Sequence, residues 1–280
     1  MKKFYLLPLF AIAFLISSCT EFPDIAPSAN IVGTDDTEIE AYFLDIDDMI
    51  EVILSENTIA SNGVDVLLDD PRMVNANIYL ETPETSTPAI VIVDFGEGTA
   101  DVKGNIRTGR LHLEVSTLEE YSNNTGRLTI ENYSINGVRI EGNLLAEHEV
   151  DVEAKTLFSY VEYSGRVTWP DGTSATRNSQ AIKDLSWAPE NPVTWIQNGN
   201  ANGVGRSGVG YYTVITEGLL FERECLQAGN YTPTSGKKRT IGRHLEANID
   251  FGNGTCDNEV MITIEEDRTY AHTFTFEGLR

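Results

Sequence analysis

The chain has 280 residues, and 41% of them are hydrophobic, which is enough for a substantial buried core. It carries 43 acidic and 20 basic side chains, a formal net charge of −23 at pH 7. A surface this acidic repels nucleic acids and anionic lipid headgroups, so a nucleic-acid partner is disfavoured and solubility is the simplest role of the charge.

The first 18 residues have the pattern of a secretory leader. Lys2 and Lys3 precede an apolar run, 4–16, that is too short to span a hydrocarbon core of roughly 30 Å as a helix. The letters ISSC at 16–19 resemble the lipobox of bacterial lipoproteins. That resemblance implies a lipid anchor (palmitate among its acyl chains) on Cys19, the membrane as a partner, and an outer-membrane location with the domain facing the periplasm or the cell surface.

Residues 19–34 contain two prolines and no periodicity, which predicts a tether between anchor and domain. One amphipathic helix is predicted over 35–56, where Asp35 and Glu38 have the spacing of a capping box. Its apolar positions recur every three or four residues, at Ile39, Tyr42, Phe43, Ile46, Met49, Ile50, Ile53 and Leu54. We expect this stripe to pack on a sheet, and a partner-binding face is the alternative.

From residue 73 onward the apolar period changes to two, which is typical of strands. Alternating runs such as 127–131, 245–251, 260–264 and 270–276 are joined by hairpin signals at Asn136-Gly137 and Asp171-Gly172, where tight turns need positive φ angles. The sequence therefore predicts ten to thirteen mostly antiparallel strands. The expected fold is mainly β (α+β): a large curled antiparallel sheet or open sandwich, forming one domain over 35–280 with the helix packed on it.

A motif occurs twice, at 93–101 and at 249–257, and both copies have the pattern DFGxGTxD. The repeat suggests two related halves or a duplicated hairpin. Asp250, Asn253 and Asp257 could supply oxygen ligands to calcium, as could Asp94, Glu97 and Asp101 in the first copy. The structural alternative, which we favour, is that these side chains hydrogen-bond the backbone of a glycine-containing turn.

Two cysteines remain once Cys19 is assigned to lipid. Cys225 and Cys256 are an even pair in an oxidising compartment, and neither belongs to a CxxC motif, so we predict a disulfide between them rather than a metal or catalytic pair. The bridge would close a loop of 31 residues.

Several longer segments carry a family resemblance. They are IVIVDFGEG with RTGRL, NYSINGVRIEG, GRVTWPDGTSATR and IDFGNGTCDNEV, together with the lipobox and the acidic helix. In this combination the chain, over roughly 36–280, resembles a group of uncharacterised β-rich lipoproteins of Bacteroidota. The resemblance implies a location and a fold class but no reaction.

The sequence favours a non-enzymatic structural or binding role without a cofactor. Trp169, Trp187 and Trp195 fall close together in the chain and could form an exposed platform for a glycan or an envelope protein, although packing in the core is the more ordinary role of tryptophan. A carboxylate-dependent hydrolase is the second alternative, because 43 acids could supply a catalytic pair.

Overall fold

The computed structural model describes residues 27–55, 70–83, 86–117, 123–188, 191–242, 246–265, 269–275 and 279. The leader, Cys19 and residues 20–26 lie outside this part of the chain, so lipidation stays a prediction. The structure is mainly β, with about 60% of residues in strands.

Two helices and fourteen strands make up the described chain. Helix α1 is Pro27–Ser55 and the short α2 is Arg223–Gln227. The strands are β1 Asn77–Leu80, β2 Ala89–Asp94, β3 Thr99–Ala100, β4 Ile106–Val115, β5 Asn124–Ile135, β6 Val138–Asp151, β7 Thr156–Thr168, β8 Ser174–Ala188, β9 Asn191–Val204, β10 Gly210–Glu222, β11 Ser235–Ile241, β12 Glu246–Asn253, β13 Glu259–Glu265 and β14 Thr269–Thr275.

The strands form one antiparallel sheet, in which each strand pairs with the next along the chain except around β3. Strand β2 pairs directly with β4, and the two-residue β3 pairs with another part of β4. Within the described residues the sheet does not close into a ring. It curls around α1, whose side chains reach cations on β4, β8 and β11. The predicted fold class is confirmed, and the architecture is the single curled sheet rather than the sandwich.

The hairpin signals are confirmed in part. Asn136 and Gly137 both have positive φ, of 52° and 80°, as the tight turn between β5 and β6 requires. In the turn between β7 and β8 only Gly172 has positive φ, at 83°. There the carboxylate of Asp171 instead accepts the backbone N–H of Thr173 at 2.9 Å.

Helix α1 begins at Pro27 rather than Asp35, so residues 27–34 belong to the helix and not to the predicted tether. Proline suits a helix start, because its missing N–H would have no partner there. Gly33 lies against the sheet, since a Cβ at this position would be in ordinary van der Waals contact with Ile249 Cδ1, at 3.4 Å. The predicted capping box is consequently wrong: Asp35 and Glu38 lie inside the helix.

The core lies between α1 and the concave face of the sheet. From Gly33 to Ile53 nearly every residue of α1 is buried, including the predicted apolar stripe up to Ile53. Phe43 stacks on Tyr163 of β7, with ring centroids 4.7 Å apart. The helix is therefore surrounded by sheet rather than resting one face on it. Among the described residues, no helix is both long enough and apolar enough to cross a membrane.

Candidate functional site

The buried surface of α1 is acidic as well as apolar, and the curled sheet meets it with cations. The paired carboxylates are Asp36, Glu40, Asp45, Asp47, Asp48 and Glu51, and their partners are Arg72, Arg107, Arg177, Lys183, Arg223 and Lys238. A buried charge is strongly destabilising without a partner, so this pairing fixes the position of α1 inside the sheet.

The first cluster lies near the start of the buried part of α1. Arg177 Nε is 2.8 Å from Asp36 Oδ1, and Lys238 Nζ lies 2.9 Å from Asp36 Oδ2 and 2.8 Å from Glu40 Oε2. Burial alone would raise the pKa of Asp36, but Arg177 and Lys238 outweigh it and hold the pKa below its ordinary range. Asp36 therefore stays ionised well into acid.

A second cluster binds the middle of the helix. Asp45 Oδ2 is 2.5 Å from Arg107 Nη1, and Asp48 lies between Arg72 Nη2, at 2.6 Å, and Arg223 Nε, at 2.9 Å. Burial raises the pKa of Asp48, but its two arginine partners lower it by more. These pairs attach α1 to β4, to the segment before β1 and to α2.

The third cluster differs, because Lys183 is the one cation among the described residues that contacts Asp47. Lys183 contacts Asp47, and its Nζ is 3.2 Å from Glu51 Oε1. Burial raises the pKa of Asp47 to about 6, since Lys183 offsets only part of the desolvation and Glu51 adds repulsion. His148 Nδ1 lies 2.7 Å from Ser159 Oγ nearby. Ser159 is fully buried, so this pair does not present a nucleophile to a substrate.

The opposite face of the sheet carries a groove across β5 to β9. Along β8, Asn178 and Gln180 alternate with the inward-facing Arg177, so their side chains point away from α1. The groove has a volume of about 460 Å³ and is lined mostly by amides, hydroxyls and charged groups, together with Leu145 and Tyr163. A second depression of about 440 Å³ adjoins it and shares Ser164 and Asn178.

Cross-strand hydrogen bonds organise part of this lining. Gln180 Nε2 donates to Glu162 Oε1 at 2.8 Å, and Ser164 Oγ donates to Asn178 Oδ1 at 2.6 Å. By contrast, no hydrogen bond from the described residues reaches the side-chain amides of Asn143 and Asn200. Each amide offers two N–H donors and one acceptor oxygen, so these two side chains give the groove hydrogen-bonding capacity that the described residues do not use.

Glycines on β6 and β7 connect the groove to the helix. Gly142 has a φ of +147° and lies opposite Gly165 across the two strands. A Cβ on Gly165 would lie 2.2 Å from Phe43 Cζ, so the backbone next to the groove rests directly on α1. The packing of the helix therefore supports the shape of the outer face.

The predicted tryptophan platform is wrong for two of its three members. Trp169 is 6% exposed and Trp195 is 1% exposed, whereas the side chain of Trp187 lies outside the described part of the structure. Trp169 Nε1 donates to Glu38 Oε1 at 3.1 Å, and Trp195 stacks on Phe221 with centroids 5.3 Å apart. Both rings pack in the core because they lie at inward-facing positions next to α1.

Cys225 and Cys256 lie at disulfide distance, with their Cα atoms 5.6 Å apart, as the sequence predicted. They also belong to the one group of three potential metal ligands found among the described residues, together with Glu222. Disulfide-bonded sulfurs are not thiolates, so this group does not offer two sulfur ligands to a metal.

The two DFGxGTxD copies form the same local turn. Asp94 Oδ1 accepts the N–H of Gly96 at 2.8 Å, and Asp250 Oδ1 accepts that of Gly252 at 2.9 Å. Both glycines have positive φ. Two other calcium candidates belong to the second copy. Asn253 is the last residue of β12, and the carboxylate of Asp257 accepts the N–H of Glu259 at 2.9 Å. These contacts are those of the structural alternative, and calcium binding stays a prediction.

Sequence reasoning missed the groove and the buried cations. The available signal for the groove was the run of alternating asparagines in β9, at 198, 200 and 202. The signal for the cations was the spacing of Arg177 and Lys183, which puts both on one face of β8.

Comparison with known proteins adds no relative, because the chain matches no protein-family model, no curated protein and no solved structure.

Proposed function

We propose that this protein is a lipid-anchored, non-enzymatic binding protein of the cell envelope, and that the groove on β5 to β9 binds a neutral saccharide. The anchor is proposed from the lipobox at Cys19, and with it an outer-membrane location like that of the β-rich Bacteroidota lipoproteins. The observation that carries the binding role is that the groove holds two side-chain amides, of Asn143 and Asn200, that make no hydrogen bond with the described residues.

The chemistry of the lining favours a saccharide. Sugar hydroxyls both donate and accept hydrogen bonds, and a side-chain amide can pair with them in both ways, through its N–H groups and its oxygen. Asn143 lies on β6 and Asn200 on β9, so at about 4.8 Å per strand their amides are roughly 15 Å apart and can contact different rings of one oligosaccharide. Arg127 and Glu162 contribute one charge of each sign to the groove, which favours an uncharged ligand.

A peptide ligand is less well supported by the same geometry. Peptides recognised by a sheet commonly pair with an edge strand, whereas the groove lies on strands that are paired on both sides.

The pKa of Glu162 favours a binding role for the groove over hydrolysis. Hydrogen bonds from Tyr160 and Gln180 lower the pKa of Glu162, whereas a general acid needs a raised pKa.

Titration calorimetry of the full chain tests the binding role, with neutral oligosaccharides of glucose, mannose, galactose and N-acetylglucosamine as probes. We expect Asn200→Ala to weaken binding about tenfold or more, because it removes a donor and an acceptor facing the groove. Asn198→Ala is the matched control: it lies on the same strand and face but outside the groove. Equal losses in both variants, or capture of a peptide and no sugar, would refute the saccharide site.

The anchor is tested separately by metabolic labelling with palmitate. We expect the native chain to incorporate label and fractionate with membranes, and Cys19→Ala to do neither. Label that persists in Cys19→Ala would place the modification elsewhere. Either result leaves the calorimetry of the groove unaffected, so the two parts of the proposal fail independently.

A further inference from the structure

The position of α1 relative to the predicted anchor fixes which end of the sheet faces the membrane. We propose that the turns 169–173 and 205–209, here called the proximal end, lie against the bilayer. This inference rests on the proposed lipidation of Cys19 and adds an orientation and a contact surface to it.

The start of α1 lies at the proximal end. Asp35 Oδ2 accepts the backbone N–H of Arg206 at 2.7 Å, and Glu38 accepts the indole N–H of Trp169 at 3.1 Å. The other end of the helix lies further along the long strands, away from these turns, where Glu51 pairs with Lys183 of β8. The polypeptide therefore enters the sheet from the proximal end.

Chain length then excludes the inverted orientation. Pro27 follows Cys19 by eight residues, and an extended chain spans at most about 3.5 Å per residue, so the tether reaches about 28 Å at most. Strand β8 has 15 residues and is about 50 Å long. If the opposite end faced the bilayer, the tether would have to run back along this length, and it is too short to do so.

Exposed apolar side chains at the proximal end give the contact surface. Val204, Tyr212 and Ile241 are 42%, 44% and 38% exposed, and Tyr212 pairs directly with Ile241 across β10 and β11. Tyrosine is favoured at a membrane interface, where its ring meets acyl chains and its hydroxyl meets water. Because the chain carries a net charge of −23, a zwitterionic surface suits this contact better than an anionic one.

Energy transfer to headgroup-labelled lipid in phosphatidylcholine vesicles tests the orientation, using the acylated full chain. A donor dye is attached at Ser207→Cys in the proximal end or at Glu153→Cys in the turn between β6 and β7; both positions are exposed. We expect at least twofold higher transfer efficiency from position 207. Equal or reversed efficiencies would overturn the orientation, whereas no transfer from either site would refute the anchor itself.

Two controls test separately whether the short tether and the apolar contact cause the difference in energy transfer between the two positions. Inserting twenty Gly/Ser residues after Glu21 frees the domain to turn, so the difference between sites should fall by half or more; an unchanged difference would refute the short tether as its cause. Tyr212→Ser with Ile241→Ser should lower transfer from position 207, and Phe158→Ser with Ile182→Ser, away from the proximal end, should not. Equal effects of the two pairs would refute the apolar contact.

Discussion

Two aspartates of α1 should respond to the same substitution with opposite signs. Asp47 and Asp36 are both buried and both contact a lysine, but Asp47 shares Lys183 with Glu51, whereas Asp36 has Arg177 and Lys238. We expect Asp47→Asn to stabilise the fold above neutral pH and Asp36→Asn to destabilise it.

The magnitude for Asp47 follows from its pKa. Burial raises that pKa from 3.8 to about 6, so the folded state binds the proton more tightly than the unfolded state. The resulting stability is fully present below about pH 4 and is lost as the pH rises through about 6. The difference between these two pKa values corresponds to about 3 kcal/mol in the free energy of unfolding. Asparagine stays neutral at every pH. The free energy of unfolding of Asp47→Asn should therefore exceed that of the native chain by up to about 3 kcal/mol at pH 8.

Asp36 gives the contrasting case. Its pKa is held low because Arg177 and Lys238 outweigh burial, so its ionised form contributes stability that is lost only when the pH falls through that low value. Replacing Asp36 by asparagine leaves the two buried cations with Glu40 as their remaining carboxylate partner. Removing one member of a buried ion pair costs about 3–5 kcal/mol, which is the loss expected at pH 7.

Urea unfolding of the native chain and both variants between pH 3.5 and 8 measures these differences. The free energy of unfolding of Asp47→Asn should lie close to the native value near pH 3.5 and rise progressively above it up to about pH 6. If Asp47→Asn were instead destabilised at pH 8 to the same extent as Asp36→Asn, the Lys183 cluster would be a net-stabilising ion pair and this reasoning would be wrong.

Three further predictions follow from particular contacts. Gly165→Ala should lower the free energy of unfolding by about 1–3 kcal/mol, measured in urea, because its methyl group would overlap Phe43; an unchanged value would mean that the helix shifts freely. Cys225→Ser should cost about 3–4 kcal/mol, since the bridge to Cys256 closes a loop of 31 residues, and the native chain under reduction should show the same loss. The Tm should not differ between EDTA and millimolar calcium, because Asp250 bonds its own turn; a rise with calcium would support the predicted calcium site.

The period of two in the sequence predicted the strands well because it depends on local geometry alone. The same pattern cannot say which face of a strand is buried when both faces carry polar residues. In β8 the inward residues include Arg177 and Lys183, while Asn178 and Gln180 point outward. A reading by hydropathy would put the charged residues in water. Only the acidic helix on the other side of the core makes their burial favourable.

The start of α1 was missed for a related reason. Residues such as Pro27 and Gly33 are typical of loops when read locally. In the folded chain Pro27 is the first helical residue, and Gly33 lies inside the helix beside Ile249 and Ile262 of the sheet. Tertiary contacts therefore extend the helix beyond the part that local propensity predicts. The earlier helix start is what shortens the proposed tether and leads to the proposed orientation of the domain.

Polar atoms without a hydrogen-bond partner among the described residues occur on both faces of the sheet, since Arg107 Nε and Trp195 Nε1 in the interior are two of them. On the inner side of the sheet a cavity of about 10 Å³ lies beside Glu40 and Arg177, which is room for about one water molecule. The outer face carries amides, such as that of Asn200, that make no hydrogen bond with the described residues. Because Phe43 supports the backbone of this face at Gly165, the ion pairs that hold α1 also hold the groove. The stability of the interior and the shape of the proposed binding groove are thus linked through one helix.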